Sequence, residues 1–257
     1  MKKIIIFFVE IFRRLFYGRI VIKEIQGIKY ELDLSENIDS HLYFRGYWEK
    51  NTTKILEDIL EPNFFVFEVG SNIGAHTFQI AKKLTHGKVY AFEPTQYAFT
   101  KLSRNYSLNK FDNIDLNNIA LSNHERSERI NRNTDSSSLP FKASWDLKGK
   151  KRNPSEENII FETLDNFVLK RKVKRIDLIK IDTDGSDLEC LKGCSNIIKS
   201  SHPIVVIEIN NNMRLVIDYL KQLQYKFFYN QFLKNFRVNE LENYEIPNLI
   251  ATYQELR

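Results

Sequence analysis

The feature that most constrains this chain is the run Phe64-Phe65-Val66-Phe67-Glu68-Val69, which stops dead at Gly70. An apolar run this short, closed by a glycine and followed by a helical pattern, reads as a strand buried on both faces. Parallel sheets covered by helices are where such strands occur. The same unit then repeats. Helix Ala75–Leu84 leads to strand Lys88–Phe92, and helix Gln96–Asn109 leads to strand Ile114–Asn118. After an interruption come strand Ile176–Ile181, helix Asp187–Lys199 and strand Ile204–Ile209. Helix Met213–Leu223, an aromatic strand at Tyr225–Tyr229 and a last strand at Leu249–Tyr253 finish the count. The alternation predicts an α/β fold, a Rossmann-like doubly wound, mostly parallel, seven-stranded sheet with right-handed crossovers.

Two regions fall outside the repeat. Residues 20–34 alternate apolar and polar about Gly27 and predict a β-hairpin. Ser35–Asn63 is polar and then helical, with a helix at Thr52–Leu60 stopped by Pro62. The expected division is therefore an N-terminal extension over 1–50 packed on the core, and a Rossmann-like domain over 51–257. That domain carries an insertion at about 121–175, in which Asn158–Phe161 reads as a strand and Thr163–Lys170 as a helix. Loops of this length are commonly functional. The opening segment 1–19 holds the apolar run Ile4–Val9 between Lys2-Lys3 and Arg13-Arg14. It is too short to span a bilayer, which needs ~20 apolar residues, and no small-residue cleavage site follows it. A helix docked on the domain or on a partner chain is the preferred reading, and a segment lying on the inner membrane surface is the second. Cytoplasmic residence is expected with either, and the oligomeric state, a homo-oligomer included, stays open.

Composition matters at three points. Nineteen Phe and twelve Tyr in 257 residues supply enough large apolar area to rule out a disordered chain. Two cysteines, Cys190 and Cys194, cannot frame a disulfide-stapled secreted domain and have no metal-ligand company. They read as small buried hydrophobes in one helix, and no metal site is expected. A net charge of +5 is mild, suits an anionic substrate or surface, and does not demand nucleic acid. The basic clusters Lys148–Arg152 and Lys170–Arg175 read as solvated loop charges first, and as guides for a phosphorylated sugar second.

Chemistry in an open α/β sheet sits beyond the carboxyl ends of its strands. After the first parallel strand stands Glu68-Val69-Gly70-Ser71-Asn72-Ile73-Gly74. Gly70 permits a sharp turn with close ligand approach, and Gly74 lets the next helix begin near the strand, its free N–H groups partly positive. After the second stands Phe92-Glu93-Pro94, an acid about 20 positions on, placed to accept hydrogen bonds from ribose hydroxyls. A glycine bend plus such an acid implies an adenosine-type cofactor. The spacing Gly70-x-x-x-Gly74 lacks the middle glycine that brings a backbone up to a pyrophosphate. Glu68 would repel phosphates, and it suits a cation such as the amino group and sulfonium of S-adenosylmethionine. A nicotinamide-dependent oxidoreductase and a non-catalytic Rossmann-type binding module remain the alternatives.

After the fourth strand comes Ile181-Asp182-Thr183-Asp184-Gly185-Ser186-Asp187. The glycine is fourth and a strand precedes it, so the calcium-loop pattern fails. Asp187 is placed to cap or flank the next helix. Asp182 ends an apolar strand, where a carboxylate without a task is costly.

At these residues the sequence resembles the FkbM-type methyltransferase family. The family pattern runs approximately D-V-G-A-N-x-G, A-F-E-P, T-L-D, I-K-I-D-V-E-G-x-E, then a strand ending in E. This chain has EVGSNIG at 68–74, AFEP at 91–94, TLD at 163–165, IKIDTDGSD at 179–187, LKG at 191–193 and VIEI at 206–209, with a similar GYWE at 46–49. The resemblance implies a class I methyltransferase domain using S-adenosylmethionine, often for O-methylation of sugars or polyketides. It implies that Glu68, Gly70, Asn72 and Gly74 line the methionine side of the donor, that Glu93 binds the ribose, and that Asn118 and Ala120 lie near the adenine. Asp184 and Asp187 stand where the family has Glu, and Thr183 where it has an apolar residue.

The expected activity is therefore methylation of a sugar hydroxyl in a glycan or related small-molecule acceptor. Asp182 is the first candidate for base or orienter of that hydroxyl, followed by Asp184 and then His76. Asp187, Glu208 and Trp48 are the acceptor-binding candidates, with Tyr47 and Glu49 beside Trp48 in one wall. No nucleic-acid acceptor is expected.

Overall fold

The computed structural model describes residues 18–132, 155–183, 185–209, 213–230, 232 and 248–256. The expected strand units are present. β1 (Ile20–Ile25) and β2 (Ile28–Asp33) form the hairpin, followed by α1 (Asn37–Arg45) and α2 (Lys50–Ile59). The repeat comprises β3 (Phe65–Val69), α3 (Thr77–Lys83), β4 (Lys88–Phe92), α4 (Gln96–Ser107) and β5 (Ile114–Asn117). An interposed region holds β6 (Ala120–Leu121), β7 (Arg126–Arg132), β8 (Ser155–Glu162) and α5 (Leu164–Arg171). The chain then runs through β9 (Leu178–Ile181), α6 (Asp187–Lys192), α7 (Ser195–Ser201), β10 (Ile204–Glu208), α8 (Met213–Gln222), β11 (Phe227–Tyr229) and β12 (Asn248–Thr252).

The main sheet has seven strands in the order β11-β12-β10-β9-β3-β4-β5. Neighbours from β10 to β5 pair parallel, and β12 runs antiparallel between β10 and β11. The chain winds outward from β3 through β4 to β5, then returns to β9 on the other side of β3. The carboxyl ends of β3 and β9 are thus the topological switch point, where open α/β sheets leave a crevice.

Each face of this sheet is covered. Phe67, Ile179, Val205 and Ala251 pack with α5 to α8. Val66, Leu178, Val206 and Ile250 pack with the hairpin, α2, α3 and α4, including Tyr30, Leu32, Ile55, Leu56, Phe78 and Leu102. Side chains alternate along strands, so the second face also carries Glu68, Lys180, Asp182 and Glu208.

Some elements depart from expectation. The helix expected over Asp187–Lys199 is two short helices, broken at Gly193, where a Cβ would meet the Ser122 carbonyl oxygen at 2.0 Å. Cys190 and Cys194 are both buried and unpaired, as read, but sit on either side of the break. The helix after β3 starts two residues late, at Thr77, because Ser71–His76 is a turn. Helix α1 lies within the stretch read as polar. The region 121–175 is partly sheet: β8 pairs parallel with β6 and antiparallel with β7. Among the residues of β7 whose side chains are described, 126–130, Ile130 is buried between polar neighbours, so the apolar signal is too sparse to read. Residues 1–17 lie outside the described residues. Among those described, no helix is long and apolar enough to cross a membrane.

Candidate active site

The bend after β3 is shaped by its neighbours. Gly70 and Ser71 donate their backbone N–H groups to the Phe92 carbonyl at 3.0 Å, tying the bend to β4. Gly70 has φ 86°, and a Cβ there would lie 1.8 Å from the Asp182 carbonyl oxygen. The sequence reading assigned this glycine to ligand approach. The structure shows its backbone abutting the end of β9, so the missing side chain also makes room for the Asp182 carbonyl. Gly74, at φ 91°, has Phe78 and Leu102 where a side chain would go, which lets α3 and α4 pack onto the bend. Asn72 sits between them at φ 48°.

Glu68 is buried beneath the bend at 1% exposure. Its Oε2 accepts from Thr77 Oγ1 at 2.5 Å and from Ser71 Oγ at 3.2 Å. Glu93 is also buried. Its Oε2 accepts the Asn72 N–H at 3.0 Å, and its Oε1 accepts the Thr95 N–H and hydroxyl at 2.9 and 2.6 Å. A carboxylate offers about four lone-pair sites, so these three bonds leave one acceptor position. Asn118 donates from Nδ2 to the carbonyls of Glu93 and Pro94 at 2.9 and 3.0 Å, fixing the segment that carries the acid, and Ala120 opens β6 two residues on.

Burial pushes the Glu93 carboxyl up to about 7, against the hydrogen bonds from Thr95 and Asn72. An acid whose pKa is higher folded than unfolded favours folding while protonated. That contribution is complete below pH 4.5, the ordinary value, and is lost as pH rises through about 7. Urea unfolding of the ligand-free protein should therefore show Glu93→Gln gaining on wild type as pH rises from 5 to 8, by on the order of 3 kcal/mol. A difference that stays flat across that window would refute the burial account.

Three buried side-chain polar atoms among the described residues have no hydrogen-bond partner: Tyr30 Oη, Asn72 Oδ1 and His76 Nε2. Two lie on the bend and its following turn. Tyr30 reaches from β2 to within the field of Glu68. Such orphans are rare in native interiors and each calls for a partner.

Across the switch point, β9 presents Lys180 and Asp182 on one face. Lys180 Nζ, 2% exposed as a residue, donates to Asp182 Oδ2 at 2.9 Å. Burial alone would depress this ammonium, yet Asp182, Glu68 and Glu49 around it raise its pKa and keep it a cation. Burial likewise pulls Asp182 upward. The Lys180 charge, a hydrogen bond from Glu208 and the His76 ring outweigh it and hold Asp182 below the ordinary aspartate range. The Glu208 carboxyl, at the end of β10, is raised by burial and by Asp182.

The N-terminal layer closes this end. Glu49, at φ 42° immediately before α2, brings its Oε2 to 3.5 Å from His76 Nε2. Thr52 Oγ1 donates to the same oxygen at 3.1 Å and accepts from Asn248 Nδ2 of β12 at 3.0 Å. Asp187 opens α6, where its Oδ1 accepts the Thr183 N–H and hydroxyl at 2.9 and 2.8 Å. Its contacts therefore hold the loop after β9. Trp48 is half-buried, packed on the apolar layer with its ring edge-on to His41 at 5.3 Å between centroids. Asp184 lies outside the described residues.

The structure thus gathers Glu68, Gly70, Asn72, Gly74, His76 and Glu93 at one bend, with Asp182 and Glu208 beside it. Sequence reasoning passed over Lys180, Ser71, Thr77 and Thr95. Lys180 carried a legible signal: a lysine inside an apolar strand, two residues before an acid, must find an anion on its own face.

Comparison with known proteins bears on the same residues. A family model described as "Methyltransferase FkbM domain" matches residues 68–227, more than half of the chain. The Haloferax volcanii protein "Hexuronic acid methyltransferase AglP" is 27% identical over 165 residues, covering 63% of this chain and 62% of its own length. "Methyltransferase sdnD" of Sordaria araneosa is 28% identical over 169 residues, covering 52% of this chain and 61% of its own. The match thus spans about three-fifths of each relative. The crystal structure of a methyltransferase FkbM from Methylobacillus flagellatus superimposes with a TM-score of 0.51 at 17% identity, over 85% of this chain and 48% of that one, a likeness of fold.

Proposed function

Because this chain belongs to the FkbM methyltransferase family, we propose that it transfers a methyl group from S-adenosylmethionine to a hydroxyl of a sugar, in a glycan or related small-molecule acceptor. The observation that carries the reading is the meeting, at the switch point between β3 and β9, of an acid-flanked glycine bend with the backbone of Asp182, whose side chain is held by Lys180.

The bend fits the donor chemically. Glu68 is an anion for the amino group and sulfonium, and Asn72 Oδ1 is a buried acceptor waiting for a donor. Glu93 keeps one acceptor site for a ribose hydroxyl. Glu68, Gly70, Asn72 and Gly74 would hold the methionine end, Glu93 the ribose, and Asn118 and Ala120 the adenine side. When bound, the cofactor supplies a methyl group on a positively charged sulfur that leaves with the bonding electron pair.

The residues here need to position an acceptor oxygen and take its proton, and positioning is the larger part of such a task. Asp182 is the proton acceptor, anionic because Lys180 is fixed against it. Asp187 sets the loop that carries Asp182 into the mouth. Glu208 and Trp48 bind the acceptor, and Asp184 and His76 are held as secondary proton-handling groups. The sugar assignment is supported by the hexuronic acid methyltransferase relative and by a mouth lined with carboxyls, which accept hydrogen bonds from neighbouring hydroxyls.

Isothermal titration with S-adenosylhomocysteine is the direct test. One site per chain is expected, with Asn72→Ala weakening it about tenfold, the equivalent of one hydrogen bond. A folded protein that takes up no S-adenosylhomocysteine would end this reading.

A further inference from the structure

The site holds two carboxyls at the ends of neighbouring strands, Asp182 after β9 and Glu208 at the end of β10. β9 and β10 pair parallel with Ile207 opposite Ile181. The next position along places Glu208 beside Asp182, at the carboxyl ends and on the same face. Adjacent strands lie about 5 Å apart, which puts the two carboxyls within reach of each other, and each acts on the other's titration. Two carboxylates cannot share a hydrogen bond unless one proton lies between them. Lys180 breaks the symmetry, since its Nζ bonds Asp182 Oδ2 at 2.9 Å.

We propose that Asp182 and Glu208 act as one proton-sharing carboxyl pair, with Lys180 as the positioning residue that keeps the negative charge on Asp182. This rests on the transferase reading only for its use, since the pair exists in the protein without ligands.

The surroundings reinforce the arrangement. Glu49 from the start of α2, Glu68 from β3 and Asp187 from the start of α6 are further acids about the pair, and His76 from the start of α3 adds to the positive side. Excess negative charge favours retention of the shared proton on Glu208. In turnover, the acceptor O–H proton passes to Asp182 as the oxygen forms its bond to the methyl carbon and the carbon–sulfur bond breaks toward sulfur. The pair is then neutral with two protons. One leaves to water through the mouth, where the Asp182 side chain is 21% exposed, and the starting state returns. Glu208 donates a hydrogen bond to the Asp182 carboxylate beforehand and stabilises its charge.

The test is a carboxyl carbon-13 NMR titration of the full chain without ligand, from about pH 3 to 10, in wild type, Glu208→Gln, Asp182→Asn and Lys180→Arg. In wild type the Glu208 resonance should titrate above about pH 8, the range of buried glutamates, and Asp182 should register that same step. In Glu208→Gln the high step should vanish. In Asp182→Asn, Glu208 should fall toward the ordinary range, because its like-charged neighbour is gone and Lys180 is free to pair with it. Lys180→Arg keeps the charge and should preserve the pattern, which separates pairing from general damage. Two carboxyls titrating independently near pH 4, or a high step that survives Glu208→Gln, would overturn the proposal. S-adenosylhomocysteine binding is read separately, so failure of the transferase reading leaves this result standing.

Discussion

Asp182→Asn should lower kcat/KM for methyl transfer to a sugar acceptor by about 10²–10⁴, the range of a positioned proton acceptor. S-adenosylhomocysteine affinity should stay within about twofold, because Asp182 meets the bend through its backbone carbonyl and its chain there is unchanged. The amide is isosteric and keeps a hydrogen bond to Glu208, but it cannot take a proton. A severed buried ion pair ordinarily costs about 3–5 kcal/mol, since the remaining charge is left without a partner. Here Glu208 stands next to Lys180 and can ionise in place of Asp182, so the loss in urea stability should fall below that range. Incorporation of labelled methyl, read beside a calorimetric titration of the same variant, separates the two effects. Activity within a factor of ten of wild type would remove Asp182 from its role.

Gly70→Ala should be among the most damaging single-methyl changes in the chain. The residue occupies φ 86°, in the left-handed region, which costs a non-glycine residue roughly 1–2 kcal/mol. The added carbon also lands 1.8 Å from the Asp182 carbonyl oxygen, a backbone atom that moves only with β9 itself. Separating β3 from β9 would break the hydrogen bond from Asp182 N–H to the Val69 carbonyl, 3.0 Å long, and open the switch point. The expected loss exceeds about 4 kcal/mol, in the range that marks a structural mechanism rather than ordinary repacking. Gly18→Ala is the control: it has φ 71° but nothing within 4 Å of the added carbon, so only the conformational cost applies. Equal urea midpoints for the two variants would mean that β9 yields easily, and the account of the bend would fall.

Much of this protein is readable without coordinates. The runs at 64–69, 88–92, 114–118, 176–181 and 204–209 announce strands because a parallel strand is covered on both faces and tolerates few polar residues. Glu68, Gly70, Asn72 and Gly74 are legible as a group because a strand-to-helix turn puts residues close in sequence close in space, and Glu93 joins them because β4 ends beside β3 in the parallel pairing. The failures have physical causes too. Helix α3 starts late because the bend is tied down by distant groups: Ser71 N–H bonds the Phe92 carbonyl, Asn72 N–H bonds Glu93, and the Ile73 carbonyl accepts from Asn105, a tertiary demand that overrides local helical pattern. β7 is missed because a small satellite sheet buries too little to leave a periodic signal.

The sequence by itself determined the fold class, the family and the local chemistry of each strand end, since all three are written in short-range patterns of apolar runs, glycines and acids. Only the tertiary structure decided which of those groups act on one another. Glu49 meets His76, Asn248 reaches Thr52 across nearly the whole chain, and Glu208 joins Asp182 by the register of β10 on β9. Charge interactions depend on distance and burial, and neither is encoded until the sheet order brings distant segments onto one face.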